Sequence, residues 1–510
     1  MISKVYSAVL NGLEVISTEV EVGFTQGVPG IVIVGLPDNA VKESRERLRL
    51  AIRNSRFEYP GATKVVINLS PADIRKEGAA LDLPMAIGIV VNRYKIESTF
   101  LADTLFFGEL NLNGDVTAVH GVLNFALFAK ENGYRRLVVP AGNCQEAIFV
   151  KGLDVFPVKN LVEAVNLVEH PEQARPYSGN LELHPEVPHV CDFAEIHGQY
   201  VAKRVMEIAA AGFHNVLLLG PPGSGKSMLA KALPSIFPAM TDEEVLETSL
   251  IYSSAGLLNG QSGLITRRPF RSPHHTISDI GLAGGGKFPV PGEISLAHNG
   301  VLFLDEIPYF RKSALETLRQ PLEDCQITIS RSLTTMTFPA RFMLVAAMNP
   351  CEDSSAFRSG DYSRCSEAQR RAYYSKLSKP LLDRIDLQIE MKKVKIEEIT
   401  SDSSAESSTR IQARVTAARN MQLQRFRKLK KTIFANGQMK NPEIKKFCCL
   451  DEAGEKMMKT AVERFDLSAR GYFRLLRVAR TIADLAACET ISAGHIQEVL
   501  QYRSIDFSAR

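Results

Sequence analysis

The stretch Gly220-Pro-Pro-Gly-Ser-Gly-Lys226-Ser227 decides the fold class of this chain of 510 residues. It follows the apolar run Asn215-Val-Leu-Leu-Leu219 and precedes the helix-compatible run Met228-Leu-Ala-Lys-Ala-Leu233. The pattern G-x-x-x-x-G-K-[ST] between a strand and a helix is typical of a P-loop, in which glycines let backbone N–H groups close on phosphate oxygens. The N-terminus of the helix also attracts anions. A glycine-rich turn in a core strand–helix unit is the less favoured alternative.

The same loop predicts how a nucleoside triphosphate, ATP or GTP, is bound. Lys226 can reach the outer phosphates, and the hydroxyl of Ser227 suits a Mg²⁺ ligand. We expect the nucleotide and its Mg²⁺ to contact a set of loop residues and one acid from a second motif: Gly220, Pro221, Pro222, Gly223, Ser224, Gly225, Lys226, Ser227 and Asp305.

A second apolar strand, Val301-Leu-Phe-Leu304, ends in two adjacent acids, Asp305 and Glu306. Such a strand fits a buried parallel sheet that delivers both carboxylates to its C-terminal edge. Asp305 is expected to help Ser227 hold Mg²⁺, and Glu306 to orient and deprotonate the attacking water. The alternative is a strand followed by an acidic helix cap, but the P-loop upstream favours the catalytic interpretation.

Three further polar residues complete the predicted site. A third strand, residues 342–347, is followed by Asn349, whose amide could sense the γ-phosphate and position the water. Arg384 follows Leu381-Leu-Asp383, and Arg470 follows Ser468-Ala. A rigid cation stabilises charge on a transferring phosphoryl group, and arginine supplies one. Each arginine alone is more typical of a surface, but their order after two nucleotide motifs predicts one site.

Longer stretches identify the family that this order of motifs resembles, the AAA+ ATPases. Residues 292–306 are similar to the branch shared by magnesium-chelatase ATPase subunits and the MCM helicases. Two stretches closely resemble the bacterial magnesium-chelatase-like family that contains ComM and YifB: Arg271-Ser-Pro-His-His-Thr-Ile-Ser-Asp-Ile-Gly-Leu-Ala-Gly-Gly-Gly286 and Ala479-Arg-Thr-Ile-Ala-Asp-Leu485. With the matching N-terminal domain, the resemblance covers essentially the whole chain.

The resemblance implies a role for each site residue, together with ATP and Mg²⁺ as cofactors. The matching positions are Lys226 and Ser227 for the Walker A pair, Asp305 and Glu306 for Walker B, Asn349 for sensor 1, Arg384 for the arginine finger and Arg470 for sensor 2. An arginine finger acts on the ATP of a neighbouring subunit. The resemblance therefore implies a homo-oligomeric ring, and relatives are hexameric.

The predicted fold class is α/β, with three domains and two connections. Residues 1–168 mix β-branched alternation with helix-like stretches and resemble the Lon-protease C-terminal fold, which is related to ribosomal protein S5. Residues 169–189 are predicted to be a proline-containing linker, and residues 395–408 a flexible polar connection. Residues 190–394 are expected to form the AAA+ core with a parallel sheet, and residues 409–510 an all-helical lid.

The resemblance to Lon does not include its peptidase residues. Lon hydrolyses peptides with a Ser–Lys dyad, because serine is a weak nucleophile without a base. The segment Lys76-Glu-Gly-Ala-Ala80 has Ala80 at the nucleophile position, and His120-Gly-Val-Leu-Asn124 has Asn124 where lysine is needed. We therefore expect no proteolysis.

A loop after sensor 1 departs from the family pattern. Family members usually have four cysteines there, which is typical of a zinc site. In this chain Cys351 and Cys365 remain, but Asp353 and Ser363 occupy the middle positions. A structural zinc ion favours four thiolate or imidazole ligands. We therefore expect no stoichiometric zinc.

Two segments are candidates for contact with DNA. Alternating runs at 326–331 and 335–341 predict a hairpin with Arg331 near its tip. In the related helicases such a hairpin enters the ring channel and engages DNA; a plain edge hairpin is the alternative. Residues 410–431 contain eight Lys or Arg and no acid, which predicts an amphipathic helix with one basic face. Phosphate contact and a solvated lid helix are equally favoured for that helix.

Composition is that of an ordinary globular protein. Apolar residues make up 45% of the chain, charged residues 23%, and the net charge of +4 is weak support for a polyanionic partner. No apolar run approaches the roughly 18 residues of a membrane span. Eight scattered cysteines do not form a disulfide framework. We expect a cytoplasmic protein without a membrane partner.

Three functions are compatible with these features. The leading one, implied by the resemblance to the ComM/YifB family, is a hexameric ATP-driven motor with helicase or branch-migration activity on branched or single-stranded DNA, in recombination and natural transformation. The second is the ATPase subunit of a magnesium chelatase, which drives Mg²⁺ into a porphyrin. The N-terminal domain argues against it, because chelatase ATPase subunits resemble only the later part of this chain. The third is a nucleotide-switched scaffold, although Glu306 and Arg384 favour real turnover.

Overall fold

The chain forms two compact units. The computed structural model describes residues 2–76, 78–179, 191–258, 263–286, 289–330, 335–351, 366–394, 406–427, 429 and 433–502. Unit 1 consists of Met1–Pro185 together with Asp242–Ile265, and unit 2 consists of Glu186–Thr241 together with Thr266–Arg510. No helix in these described ranges is long and apolar enough to span a bilayer.

Unit 1 is built on a mixed seven-stranded sheet in the order β3-β4-β2-β1-β5-β8-β9. Its strands are β1 (Ile2–Asn11), β2 (Glu14–Thr25), β3 (Gly30–Val34), β4 (Lys64–Ser70), β5 (Thr104–Phe106), β8 (Arg136–Pro140) and β9 (Asp154–Val158), and a small pair is formed by β6 (Glu109–Leu110) and β7 (Val116–Thr117). Strand β2 is antiparallel to β1 and β4, and the other neighbours are parallel. Its helices are α1 (Asn39–Asn54), α2 (Asp82–Tyr94), α3 (Val122–Glu131), α4 (Cys144–Ala147), α5 (Leu161–Glu169) and α8 (Asp242–Ser254).

Alternation along the strands gives this sheet two buried faces. On β1, Val5 and Val9 belong to an apolar cluster with α1, α2 and α5. Ala8 belongs to a second cluster with α3, α4 and α8. Because side chains alternate between the faces of a strand, helices cover both sides of the sheet. Unit 1 is therefore a three-layered domain, and the α/β class predicted for residues 1–168 is confirmed.

The segment Asp242–Ile265 corrects one predicted boundary. The sequence places it inside the domain 190–394, but in the structure it belongs to unit 1. The hydroxyl of Ser253 donates to the carboxylate of Glu146 at 2.8 Å and accepts from the backbone N–H of Leu123 at 3.3 Å. Burial raises the pKa of Glu146. These contacts join residues more than a hundred positions apart, which sequence patterning does not reveal.

Unit 2 contains a five-stranded parallel sheet in the order β11-β14-β17-β10-β18. These strands are β10 (Val216–Leu219), β11 (Phe270–Arg271), β14 (Val301–Leu304), β17 (Met343–Met348) and β18 (Leu387–Glu390). Two hairpins are formed by β12 (Gly284–Gly285) with β13 (Val290–Pro291), and by β15 (Gln326–Ser330) with β16 (Thr335–Pro339). The fold class predicted from sequence, with its parallel sheet, is confirmed.

The helices of unit 2 fall into two groups along the chain. Those before residue 395 are α6 (Tyr200–Gly212), α7 (Lys226–Ala232), α9 (Asp279–Ala283), α10 (Glu293–Leu296), α11 (Lys312–Thr317), α12 (Pro321–Asp324), α13 (Glu367–Tyr374) and α14 (Lys379–Leu382). Those after residue 405 are α15 (Ser408–Phe426), α16 (Asn441–Phe447), α17 (Glu452–Arg464), α18 (Ala469–Leu485) and α19 (Ala493–Gln501). The predicted all-helical region is confirmed.

One apolar core runs through both groups of helices. Met206 of α6 and Val216 of β10 lie in the same buried cluster as Val415 of α15 and Ile482 of α18. The predicted domains 190–394 and 409–510 therefore share a core within unit 2. This continuous packing fixes α18 against the part of the unit that carries the P-loop.

The structure shows the partners of three of the eight basic residues predicted to form a basic face in residues 410–431. Arg414 pairs with Glu207 and Glu406, each at 2.5 Å, and Arg425 pairs with Asp484. The guanidinium of Arg419 is buried and donates to the backbone carbonyls of α6. These three arginines therefore contact their own chain, and phosphate contact by this helix stays a prediction. Of the other five basic residues, Arg410 and Arg427 are exposed, and Lys428, Lys430 and Lys431 lie outside the described residues.

Candidate nucleotide-binding site

Three neighbouring parallel strands bring the predicted motifs to one edge of the unit 2 sheet. Strand β17 lies between β10 and β14, and all three run in the same direction. The P-loop follows β10, the acidic pair follows β14 and Asn349 follows β17. Because the carboxyl ends of parallel strands meet at one edge, residues from three distant segments form one site.

The loop requires glycine for two reasons: a left-handed backbone at some positions and a close approach of other backbone atoms at another. Gly223 and Gly225 have φ angles of 76° and 90°, in the left-handed region, and an added Cβ would meet no atom within 4 Å. At Gly220, an added Cβ would lie 2.7 Å from the carbonyl oxygen of Met391. Gly225 directly precedes α7. The loop therefore turns sharply into a helix N-terminus and leaves open space beside Gly223 and Gly225, as phosphate binding requires.

Lys226 is buried and is held by several oxygens. Its Nζ donates to the carbonyls of Gly220 at 2.7 Å and Pro221 at 2.9 Å, and to Oδ1 of Asn349 at 3.0 Å. The contact with Asn349 joins residues 123 positions apart. The lysine predicted to bind the outer phosphates and the amide predicted to sense the γ-phosphate therefore lie side by side.

Ser227 and Asp305 form the expected pair of oxygen ligands. The hydroxyl of Ser227 donates to Oδ2 of Asp305 at 2.7 Å. Oδ1 of Asp305 accepts from the backbone N–H of Glu306 at 2.9 Å, which fixes the carboxylate. Hydroxyl and carboxylate oxygens are the ligands that Mg²⁺ prefers, so this donor set fits the metal that accompanies a nucleoside triphosphate.

Glu306 has an unusual backbone and a free carboxylate. Its φ angle is 51°, in the left-handed region that glutamate rarely adopts. The side chain is exposed, and within the described part of the chain its carboxylate has no hydrogen-bond partner. Strained backbone of this kind is found at functional sites. Glu306 is therefore available to act as a base next to the oxygen pair of Ser227 and Asp305.

Two residues that the sequence analysis missed support the loop and Asn349. The hydroxyl of Tyr373 donates to the backbone carbonyl of Asn349 at 3.0 Å, and burial raises the pKa of Tyr373, so it remains a donor. The side chain of Gln199 donates to the carbonyls of Ser224 at 3.0 Å and Lys392 at 2.7 Å. Neither residue belongs to a recognisable motif, because each acts through the backbone of a distant segment.

The two predicted arginines meet at an acid that no motif identified. Arg384 and Arg470 both form ion pairs with the carboxylate of Glu323. Arg384 also donates to the carbonyl of Pro380 at 2.6 Å, and its side chain is only 10% exposed. In the described residues neither guanidinium hydrogen-bonds the loop Gly220–Ser227. The structure thus brings the two arginines together at Glu323.

Helix α18 also fixes the backbone around Arg384. Nη1 of Arg474 donates to the carbonyls of Asp383 at 2.6 Å and Ile385 at 2.8 Å. One turn further along the helix, Arg477 lies 3.7 Å from Oδ1 of Asp386. The helix that carries Arg470 therefore holds the backbone on both sides of Arg384, the residue predicted as the arginine finger.

A substitution of Asp386 tests how much its contacts with Arg477, Arg474 and His214 stabilise the fold. Burial alone would raise the pKa of Asp386, but His214, Arg477 and Arg474 outweigh it and lower the pKa to about 2. An aspartate with a lowered pKa stabilises the fold above its unfolded value of about 3.9, and this contribution disappears as pH falls towards 2. We expect Asp386→Asn to cost on the order of 2 kcal/mol at pH 7, which lowers Tm by roughly 4–8 °C.

Thermal melts of both proteins between pH 7 and pH 2.5 measure this effect. The difference in Tm between wild type and Asp386→Asn is expected to shrink below about pH 4, because only the wild type loses the charge. Asp383→Asn is the control, since the Asp383 side chain has no hydrogen bond among the described residues. Equal melting temperatures for wild type and Asp386→Asn at pH 7 would contradict the prediction.

Comparison with known proteins establishes the family. The family model "Magnesium chelatase, subunit ChlI" matches residues 192–399, "Subunit ChlI of Mg-chelatase" matches residues 20–143, and the ChlI C-terminal model matches residues 405–503. Competence protein ComM of Haemophilus influenzae is 39% identical over 510 residues, which cover 98% of this chain and 97% of ComM. This chain belongs to the ComM/YifB family.

Other relatives show how far the likeness extends. YifB of Escherichia coli is 40% identical over 515 residues, covering 99% of this chain and 97% of YifB. The magnesium-chelatase 67 kDa subunit of Chlorobaculum parvum is 27% identical over 162 residues, or 31% of this chain and 23% of that subunit. The full-length matches include unit 1, so the ComM/YifB family shares both units, whereas the likeness to the chelatase subunit is partial.

The predicted hairpin and the predicted cysteine loop are described only in part. The register of β15 and β16 runs from Gln326 opposite Pro339 to Ser330 opposite Thr335, which confirms the hairpin. Its predicted tip residue, Arg331, lies outside the described residues, as do Asp353, Ser363 and Cys365 of the cysteine loop. The absence of zinc therefore stays a prediction.

The positions compared with the Lon dyad lie in unit 1. Asn124 is buried and its amide donates to the carbonyl of Leu13 at 3.2 Å. Ala80 packs against the cluster that contains α3. An amide and a methyl group supply neither a nucleophile nor a base. These placements are compatible with the expected lack of peptidase activity, which stays a prediction.

Proposed function

We propose that this chain is an ATP-driven DNA motor that assembles into a hexameric ring and moves branched DNA during recombination and DNA uptake. The observation that carries the proposal is the meeting of Lys226 with Asn349 and of Ser227 with Asp305 at one sheet edge. The full-length likeness to competence protein ComM supports DNA as the partner. A protein that only binds nucleotide has no need of the base at Glu306 and the arginine at Arg384.

Each site residue has a role in ATP hydrolysis under this proposal. Lys226 binds the outer phosphates, and Ser227 and Asp305 hold Mg²⁺, which neutralises charge on the phosphates when bound. Glu306 accepts a proton from the attacking water, and Asn349 orients that water. Arg384 and Arg470 stabilise charge on the phosphoryl group of a neighbouring subunit.

The hairpin β15–β16 connects this site to the proposed DNA contact. Its base is closed by a hydrogen bond from the N–H of Ala340 to the carbonyl of Cys325 at 2.9 Å. Only residues 340–342 separate the hairpin from β17, the strand that leads to Asn349. A force on the hairpin therefore acts close to the strand that ends at the phosphate sensor. We propose that Arg331, which the sequence predicts near the tip of the hairpin, contacts DNA.

A magnesium-chelatase ATPase subunit is the second candidate. It is favoured by the three matching ChlI family models. The chelatase 67 kDa subunit, however, matches only 31% of this chain. The two candidates differ in what stimulates ATP hydrolysis: branched DNA for the motor, porphyrin and partner subunits for the chelatase.

Branch migration of a labelled four-way junction, with and without ATP, tests the proposed function. We expect ATP-dependent conversion to duplex products and ATP hydrolysis that rises several-fold with the junction. Binding to phosphates releases counterions, so junction binding is expected to weaken steeply with salt. Glu306→Gln serves as the control, because it binds ATP without turnover. Lack of DNA retention at low salt, together with unstimulated hydrolysis, would contradict the motor.

A further inference from the structure

The carboxylate of Glu323 bridges the two arginines predicted to act on ATP. Nη2 of Arg384 contacts Oε2 of Glu323, and Nη2 of Arg470 lies 3.2 Å from Oε1. Each arginine uses a different oxygen of the same carboxylate. The two guanidinium groups, which come from segments 86 positions apart in sequence, are thereby held next to each other.

Electrostatics explain why an acid is needed between them. Two guanidinium groups repel each other, and an intervening carboxylate replaces that repulsion with two attractions. The hydrogen bond from Arg384 is the main cause of the lowered pKa of Glu323, so this carboxylate is charged at neutral pH. The three side chains together carry a net charge of one positive unit. Without the carboxylate of Glu323, repulsion between the two guanidinium groups would favour their separation.

The bridge leaves donors for a phosphoryl group. A guanidinium has five N–H donors. Among the described contacts, Arg384 donates to Glu323 and to Pro380, and Arg470 pairs with Glu323. The side chains of Glu323 and Arg470 are 51% and 48% exposed, so the group reaches the surface. The side chain of Arg384 is 10% exposed, so an anion presented by another subunit can meet Arg470 directly, with Arg384 held beside it by the shared carboxylate.

We propose that Glu323 is a positioning residue for ATP hydrolysis, which holds Arg384 and Arg470 as a pair facing the phosphoryl group of the neighbouring subunit. This inference rests on the proposed function, because it takes both arginines to act on ATP. Glu323 contacts no nucleotide itself and acts through the arginines. Its position in α12, directly before the hairpin strand β15, also places this pair next to the base of the hairpin.

The substitution Glu323→Gln tests the proposal, because it keeps the shape of the side chain and removes its charge. We expect kcat for junction-stimulated ATP hydrolysis to fall about tenfold, with KM for ATP within about twofold, since Lys226 and Ser227 are untouched. Asp324→Asn is the matched control: it removes the adjacent exposed carboxylate, whose side chain has no partner among the described residues. Thermal melts and ATP binding establish that both variants fold.

A double-mutant cycle separates positioning from a general effect of charge. In an Arg470→Ala background, Glu323→Gln is expected to lower kcat by clearly less than in the wild type, because the pair no longer exists. Equal losses in both backgrounds, an equal loss with Asp324→Asn, or faster hydrolysis in Glu323→Gln would each overturn the proposal. A wild type that hydrolyses ATP without responding to DNA would instead refute the motor and leave the Glu323 comparison readable in basal turnover.

Discussion

A Glu306→Gln variant is expected to bind ATP and to hydrolyse it 10²–10⁴-fold more slowly than wild type, the range typical of a lost general base. Glutamine has nearly the same shape but accepts no proton. The carboxylate of Glu306 is exposed and has no partner among the described residues, so its loss breaks no structural contact. Retention of radiolabelled ATP on filters and release of phosphate measure the two effects separately.

The control for this variant is Glu452→Gln on α17, which changes an exposed glutamate remote in sequence from the motifs. It is expected to match wild type in both assays. ATP trapped by Glu306→Gln is also expected to stabilise the ring, seen as a larger particle in size-exclusion chromatography. Hydrolysis at the wild-type rate in Glu306→Gln would show that the base lies elsewhere.

An Arg384→Ala variant is expected to lose ATP turnover by 10³–10⁵-fold while ATP binding is spared, as for arginines that complete a site from another subunit. In this structure Arg384 contacts Glu323 and Pro380 and has no hydrogen bond to the loop Gly220–Ser227. Its removal therefore leaves the nucleotide-binding loop of its own chain intact. Arg384→Lys is the companion variant, because it keeps the charge and loses the planar fork.

Mixing the two inactive variants tests whether Arg384 acts in trans. In a mixed ring, an Arg384→Ala subunit supplies an intact Glu306 and a Glu306→Gln neighbour supplies an intact Arg384. Interfaces of that order have a complete site, so equimolar mixtures are expected to recover part of the wild-type turnover. If Arg384 acts within its own chain, no mixture contains a complete site, and recovery is absent.

The sequence predicted which residues meet at the sheet edge in those cases where a motif directly follows a strand. Lys226, Asp305 and Asn349 each follow an apolar run, and parallel strands must bring such residues to one edge. Glu323 could not be predicted in this way, because it lies in a four-residue helix and its partners are distant in sequence. Tyr373 was missed for a related reason: its hydroxyl donates to the backbone carbonyl of Asn349, and a contact with backbone does not depend on a recognisable pattern of residues.

The charge pattern left phosphate contact and a solvated lid helix equally open for α15. The run of basic residues suggested a face for phosphate, but Arg414 and Arg425 pair with acids from α6 and α18. Sequence shows which charges lie on one helix and says nothing about the charges packed against it. The sequence also predicted a flexible polar connection at residues 395–408 between core and lid, whereas buried residues on both sides of it belong to one cluster.

The position of α8 in unit 1 determines which fragments of this chain contain the complete fold of that unit. Because unit 1 takes Asp242–Ile265 from the middle of the sequence, a fragment ending at residue 185 lacks a helix of its own fold. Glu146 would lose the hydroxyl of Ser253, and the apolar cluster beside α3 would be laid open to water. Unit 1 is thus not a module that recombination could exchange at a single junction. Its inheritance is tied to that of unit 2, since the two units are interleaved along one chain.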